Sequence, residues 1–266
     1  MRALLAAALI GSTSLTAAAA AHAEGWIVTV GGRVAAAPPY EGANHDVIAP
    51  SPTFSLRRED SPDRFEPPDG GTTIALLSTR YIVIGPMARF RYSRGNQGNL
   101  TGFDKIDWAA EPGGFVELWP TNFIRGRAEV RRGVVGHHGW VGDGALDLVY
   151  TGPRWDASIG GRVGYGDAKY MDTYFGVTPA EALASPLITT PYEPGKGRRY
   201  TGLEAAVAYR LVGGLWTTVD VGYHRLSDKA AFSPIVMLDG KRDQFSGGVE
   251  LSYSFGVGTH HHAPEH

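Results

Sequence analysis

Charged and apolar side chains alternate strictly in one stretch of this chain, FIRGRAEVRR at residues 123–132. Charged residues occupy every second position there: Arg125, Arg127, Glu129 and Arg131. A helix would scatter these side chains around its circumference, whereas a β-strand has a side-chain period of two. The stretch therefore predicts a strand with one strongly charged face and one weakly apolar face.

The same alternation recurs along most of the chain, in segments of about 10–12 residues. Repeated alternation of this kind is typical of antiparallel β-sheet. The further segments are 26–33, 82–92, 107–118, 140–150, 154–165, 200–210, 215–224 and 244–255.

The apolar faces of these strands indicate contact with lipid. A soluble β-sandwich also alternates, but it buries its apolar face in a packed core. Here the apolar faces are rich in Gly and Ala between their ends, which suits lipid better than a packed core. Aromatic rings at both edges of an apolar band form the girdles of a membrane barrel. The aromatic residues at the strand ends are Trp108, Trp140, Trp155, Tyr92, Tyr150, Tyr165, Tyr209, Tyr223 and Phe255. The pattern predicts an all-β fold, a transmembrane antiparallel β-barrel.

Loop lengths predict the orientation and the number of strands. Short links alternate with long ones, as in outer-membrane barrels with short periplasmic turns and longer outer loops. The short links lie at 78–80, 120–122, 151–153 and 212–214, and the long ones near 93–106, 133–139, 166–199 and 226–243. Counted back from a last strand that runs toward the periplasm, strands at 49–57 and 72–78 both run in that direction too. One upward strand is therefore required between them, near Arg64–Glu66, beside Pro67 and Pro68. The count is then twelve strands, or ten if that region is irregular.

The N-terminus predicts export. Residues 1–23 carry Arg2, an apolar run and the sequence Ala21-His22-Ala23, which is typical of a cleaved signal peptide. The mature chain would comprise the barrel at 24–255 and a disordered, histidine-containing tail at 256–266. The predicted location is the bacterial outer membrane, with outer-membrane lipid as a partner.

The charged faces should line the barrel interior. The inward parity holds ten arginines interleaved with nine acids, and such a mixture predicts a cross-linked, largely closed lumen rather than an ion-selective pore. Arg125 and Arg127 should lie between the acids at 111 and 117 on one side and at 143 and 147 on the other. The arginines are Arg33, Arg57, Arg89, Arg91, Arg125, Arg127, Arg131, Arg154, Arg162 and Arg210, and the acids are Glu111, Glu117, Glu129, Asp143, Asp147, Asp156, Glu204, Asp220 and Glu250.

No motif predicts an enzyme, a cofactor site or a metal site. The chain has no cysteine, which excludes disulfides and thiolate ligands, and its net charge of −2 gives no support to nucleic-acid binding. No G-x-S-x-G, H-E-x-x-H or P-loop sequence occurs. Asp220 and His224 share a face but lie roughly 13 Å apart along a strand, too far for a direct hydrogen bond. The histidines at 260–262 and 266 are read as a tail that binds metal only adventitiously, and His137-His138 as a polar turn.

The long loop at 174–199 is the best candidate for a specific role. It contains several aromatic residues and four prolines, which stiffen it. One interpretation is an outer cap folded over the barrel mouth, and the other is a surface-contact or gating loop.

The second half of the chain resembles the MipA/OmpV family of outer-membrane proteins. The resemblance is carried by YFGVTPAEA at 174–182, by SPIV at 233–236, and by RDQFSGGVELSYSF at 242–255. It implies an outer-membrane location and, for the family's namesake, a scaffold between the lytic transglycosylase MltA and a bifunctional penicillin-binding protein. The function predicted is thus a non-catalytic scaffold in murein synthesis. The alternatives are a narrow channel or permeability factor for small solutes, or a surface adhesin. Unlike the usual family pattern, the chain continues beyond the terminal aromatic residue Phe255.

Overall fold

A computed structural model describes residues 25–258 of the chain. The predicted signal peptide and the tail histidines at 260–262 and 266 lie outside the described residues. The described residues form twelve strands: β1 (Trp26–Ala37), β2 (Val47–Arg58), β3 (Thr72–Ile74), β4 (Leu77–Ser78), β5 (Ile82–Arg91), β6 (Ala109–Leu118), β7 (Ile124–Arg132), β8 (Trp140–Thr151), β9 (Trp155–Gly166), β10 (Gly197–Val212), β11 (Leu215–Leu226) and β12 (Asp243–Val257). Four short helices lie in the loops: α1 (Ala168–Phe175), α2 (Pro179–Ala184), α3 (Asp228–Ala231) and α4 (Pro234–Asp239).

The strands form one sheet that closes into a barrel. Its order is β3-β2-β1-β12-β11-β10-β9-β8-β7-β6-β5-β4, and an additional pairing of β3 with β5 closes the ring. Eleven strands make up the ring, and the two-residue β4, paired with β5, lies outside it. The predicted barrel is confirmed, and neighbouring strands are antiparallel except for β2 and β3, which run parallel.

The parallel pair arises because the strand predicted near Arg64–Glu66 does not form. Residues 59–71, the inner segment, enter the barrel instead and contain only a short 3-10 helix at Pro68–Gly70. Prolines cannot donate to a strand ladder, and this segment has three of them among turn-forming Asp and Gly residues. Phe65 packs in an apolar cluster with the inward side chains Phe115, Val149 and Ala208.

The two faces of the wall are as the alternation predicts. Eight of the nine aromatic residues at the strand ends are 40–53% exposed, and Tyr223 is half-buried. Between them Leu146, Ile159 and Val219 are more than half exposed, at 64%, 56% and 53%. A soluble monomer rarely exposes so continuous an apolar band, so this surface is the lipid-facing one.

Inward-facing glycines make room for the charged side chains. A Cβ placed on Gly248 of β12 would lie 2.7 Å from the guanidinium of Arg33 on β1. Among residues 25–258, no helix is long and apolar enough to span a membrane.

Candidate functional site in the barrel interior

The charged face of β7 lies inside the barrel. Arg125, Arg127, Glu129 and Arg131 are only 1%, 7%, 4% and 1% exposed, whereas the residues between them face outward. The alternation at 123–132 therefore marks a strand whose ionic side lines the lumen, as predicted.

Arg125 joins acids on the two strands that flank its own. Its Nη2 donates to Glu117 Oε1 on β6 at 2.6 Å, and its Nη1 donates to Asp147 Oδ2 on β8 at 2.7 Å. Arg127 donates to the same oxygen of Glu117 at 2.6 Å and to Glu129 Oε1 at 2.7 Å. These hydrogen bonds connect three strands across their side chains, in addition to the backbone ladder.

Glu111 and Asp143, predicted to lie beside Arg125 and Arg127, bind other arginines. Arg131 donates from Nε to Glu111 Oε2 at 3.1 Å and from Nη2 to Asp143 Oδ2 at 2.5 Å. The strand register explains the difference. Asp143 lies directly opposite Glu129, so a guanidinium must bridge two like charges at this level.

Arg199 is a lumen residue that the alternation misses. It is 1% exposed and donates to Asp143 and to Glu41, a residue of the loop after β1. Strict parity would place Arg199 outward, but the register of β10 shifts between Arg198 and Tyr200, and the extra residue turns inward. In the sequence, the one sign of a bulge is the run of basic residues at 196–199, which a glycine interrupts.

Two other predictions about interior residues are wrong. Arg154, predicted to point inward, is exposed in the turn between β8 and β9. His137, read as part of a polar turn, is 2% exposed, and its Nε2 lies 2.9 Å from Glu111 Oε1. Isolated turn residues carry no periodicity, so their direction could not be read from the pattern. The neighbouring His138 is exposed, as a turn residue would be.

The loops at one end of the barrel fold into a cap with its own apolar core. Tyr170, Met171 and Phe175 of α1 are fully buried against residues of the other loops, including Ile106 and Val236. The cap comprises loops 38–46, 92–108, 133–139, 167–196 and 227–242. We call this the capped end and the opposite end the turn end.

Residues 174–196 of the loop predicted at 174–199 are part of this cap, in agreement with the first of its two interpretations, whereas residues 197–199 begin β10. Thr178 and Glu181 form a reciprocal capping box at the start of α2. Val177 and Ile188 are buried with Leu100 and Ile235 from the other loops. The loop is therefore packed into the mouth of the barrel rather than extended from it.

Two tyrosines lie between the cap and the ionic lumen. Tyr170 and Tyr174 have buried hydroxyl groups without a hydrogen-bond partner among the described residues. Burial raises the pKa of Tyr174 to about 12, and it also raises the pKa of Tyr170. Arg91 and Arg199 lie over the Tyr170 ring, with Cζ 5.2 and 5.1 Å from its centroid. The Tyr170 ring thus packs against two arginines of the network, a favourable cation–ring contact.

A cavity of about 430 Å³ occupies the lumen toward the turn end. Arg125 and Arg127 border it on the side of the ion network, and it extends to the turn at Gly213 and Gly214. Trp216 contributes an aromatic wall, over which Arg210 lies with Cζ 4.6 Å from the ring centroid. The cavity is thus a chamber that ends below the ion network.

The inward histidine and aspartate noted in the sequence have separate partners. Asp220 accepts hydrogen bonds from Arg33, including one of 3.0 Å from Nε. His224 Nε2 lies 3.0 Å from Glu204 Oε1, and its ring stacks on Tyr200 with centroids 4.3 Å apart. Within residues 25–258, no group of three or more His, Cys, Asp or Glu residues is arranged to hold a metal ion.

The closed sheet, lipid-facing surface and ionic interior define an outer-membrane β-barrel. The chain belongs to the MipA family, because the family model described as MltA-interacting protein MipA matches residues 30–255. No curated protein matches the chain.

Several solved outer-membrane barrels are similar to it at low identity. The outer membrane channel DcaP of Acinetobacter baumannii has 8% identity and a TM-score of 0.37, with 87% of this chain and 96% of that chain covered. OprD from Pseudomonas aeruginosa has 12% identity and a TM-score of 0.34, with 89% and 61% covered. The N-terminal barrel domain of OprF from Pseudomonas aeruginosa has 10% identity and a TM-score of 0.29, with 66% and 98% covered.

Proposed function

We propose that this protein is a non-catalytic scaffold of the outer membrane that binds periplasmic enzymes of murein turnover at its turn end. One observation carries the proposal: the capped end is filled by an apolar cap above a continuous ion network. A barrel without a through-passage is suited to holding a surface in place rather than to conducting solutes. Membership in a family described as MltA-interacting protein supports a lytic transglycosylase as the partner.

The turn end offers a groove for such a partner. It has a volume of about 550 Å³ and is lined by the inner segment and by residues of neighbouring turns. Arg64 and Arg80 give it a basic side, and Phe123 and Tyr150 give it an aromatic side. Exposed Arg and aromatic residues are the types enriched at protein interfaces. Short turns face the periplasm in outer-membrane barrels, so this groove would face the periplasmic enzymes.

Absence of catalysis is part of the same proposal. The inward Asp220 and His224 are engaged with Arg33 and with Glu204 and Tyr200, so they do not form a pair for proton transfer.

A pull-down with MltA tests the scaffold role. The double variant Arg80→Glu, Phe123→Ala should bind MltA at least tenfold more weakly than the wild type, since it changes one residue on the basic side and one on the aromatic side of the groove. Arg154→Glu is the matched control, because Arg154 is an exposed arginine in the adjacent turn. Wild-type protein that retains no MltA from gently solubilised envelopes, while remaining folded, would reject the scaffold.

The narrow channel remains the second candidate, because the chamber of about 430 Å³ extends to the turn end. Solute uptake through it would require the cap and the ion network to part.

A further inference from the structure

The barrel wall is interrupted on one side of its capped half. β3 pairs with β2 only at Ser55 and Leu56, and its pairing with β5 ends at Ala88. Within the described part of the chain, residues 47–54 of β2 and 89–91 of β5 have no strand partner on the sides that face each other. We call this gap the seam. Because β3 separates β2 and β5 below it, the two edges start about 10 Å apart, two strand spacings.

The sequence of β2 is adapted to an unpaired edge. The Ala75 N–H donates to Leu56 O at 2.9 Å, so even-numbered residues of β2 direct their backbone groups toward this side. Pro50 and Pro52 have the same parity. Proline has no N–H, so neither position leaves a donor facing the membrane interior. A strand added to this edge would lack two of its hydrogen bonds, which disfavours pairing with another chain.

The polar interior is more accessible beside the seam than elsewhere in the ion network. The side chains of Arg89 and Arg91 on β5 and of Arg33 on β1 are 29%, 20% and 21% exposed. The side chains of the network arginines on β7, β9 and β10 are at most 5% exposed, namely those of Arg125, Arg127, Arg131, Arg162 and Arg199.

Arg89 retains donor capacity at this position. It donates from Nε to Glu129 Oε2 at 3.1 Å and from Nη2 to Glu129 Oε1 at 3.0 Å. This uses one edge of the guanidinium, and Nη1 has no hydrogen bond within residues 25–258. A guanidinium has five N–H donors and binds carboxylate or phosphate oxygens well, so Arg89 can accept a second anion.

The outer margins of the seam are apolar. Ile48 on β2 and Phe90 on β5 are 78% and 68% exposed, and both lie on the lipid-facing side of the wall. Phe54, at the lower end of the seam, also borders the chamber. A hydrocarbon chain could lie along these side chains while a polar group reaches the interior.

We propose that the seam binds an anionic amphipathic molecule of the membrane. Its carboxylate or phosphate head group enters beside Arg89, and its hydrocarbon chain lies between Ile48 and Phe90. The site is distinct from the groove at the turn end and does not depend on the scaffold role.

Spin-labelled lipids test this directly in phosphatidylcholine bilayers. Spin-labelled stearate, phosphatidylglycerol and phosphatidylcholine are added separately to the reconstituted protein, and the motionally restricted fraction is measured by electron paramagnetic resonance. We expect an excess restricted fraction for one or both anionic probes, which also separates a carboxylate from a phosphate ligand. Equal fractions for all three probes would overturn the proposal.

Two variants link the signal to the seam. Arg89→Gln should reduce the excess restricted fraction at least threefold, whereas Arg162→Gln should leave it unchanged. The control also removes a lumen arginine with acidic partners, but on β9, away from the seam. An excess that persists in Arg89→Gln would contradict the assignment. Heat-modifiable migration on gels confirms that each variant forms a barrel.

Single cysteines provide a test that retains Arg89. The chain has no cysteine, so Ser51→Cys and Ser158→Cys each introduce one thiol on the inward face of β2 and β9. A maleimide carried on an acyl chain should label position 51 several-fold faster than position 158, relative to a water-soluble maleimide. Equal relative rates would show that the seam is closed to lipid. Disulfide-linked dimers of Pro50→Cys would instead place a second copy on this edge and overturn the proposal.

Discussion

At the scale of single residues, the interior is organised by arginines, most of which bind more than one acid. Arg125 is 1% exposed and has carboxylates on both neighbouring strands. Removing one partner of a buried ion pair leaves the other charges uncompensated, and this usually costs more than the intact pair contributes. The network should therefore be sensitive to single substitutions even though its net contribution to stability is modest.

We expect Arg125→Gln to lower the free energy of unfolding by about 3–5 kcal/mol, because Glu117 and Asp147 would lose a buried cation. Urea titration of the barrel, followed by heat-modifiable migration, measures the change. Arg132→Gln is the control on the same strand, since Arg132 faces outward over the Trp140 ring. A loss below 1 kcal/mol for Arg125→Gln would show that the network tolerates a missing guanidinium.

The buried tyrosines of the cap predict a loss of stability at alkaline pH. The pKa of Tyr174 is raised from 10.0 to about 12 by burial, so the folded protein keeps this proton more tightly than the unfolded chain. The stabilisation is complete below pH 10 and is lost as the pH rises through 12.

Tyr174→Phe should remove this part of the alkaline decline, which amounts to about 1 kcal/mol at pH 11 and about 3 kcal/mol above pH 12. Because its hydroxyl has no partner among the described residues, the variant should be as stable as the wild type at neutral pH. Thermal unfolding at pH 8 and pH 11 tests both statements. Identical declines in the two proteins would exclude Tyr174 as the cause.

At the scale of elements, the sequence predicts regular strands well and irregular segments poorly. Alternation identifies β7, because its side chains point alternately to the lumen and to the lipid along the whole strand. The inner segment has no period, and its entry into the lumen depends on tertiary contacts such as Arg162 with Asp69 at 2.7 Å. The alternation does not predict that Arg199 points inward, because one bulge in β10 reverses the parity of the side chains there. The cap could be proposed from loop length and prolines, but its packing partners lie far away in sequence.

Replacing residues 176–196 with a short Gly-Ser linker should lower the thermal stability of the barrel, because Val177, Ala182 and Ile188 leave the apolar core of the cap. Solute uptake should stay at the wild-type level, because the ion network lies below this loop and is left intact by the replacement. Swelling of proteoliposomes in sugar solutions measures uptake, and calorimetry measures stability. Unchanged stability with increased uptake would identify the loop as a gate.

At the scale of the whole molecule, the fold separates two environments across one wall. The outer face matches lipid, and the interior combines balanced charges above with a chamber below. The proposed scaffold requires that the cap and the network together block the path between the two ends. A scaffold differs from a pore in having a sealed lumen, not in its number of strands. The proposed scaffold role depends on that seal.

Single-channel recording of the purified protein in planar bilayers tests the seal most directly. A barrel filled by the Arg–acid network and closed by the cap should show no steady conductance above the bilayer background at neutral pH. Large, long-lived openings from wild-type protein would contradict a sealed lumen and the scaffold built on it.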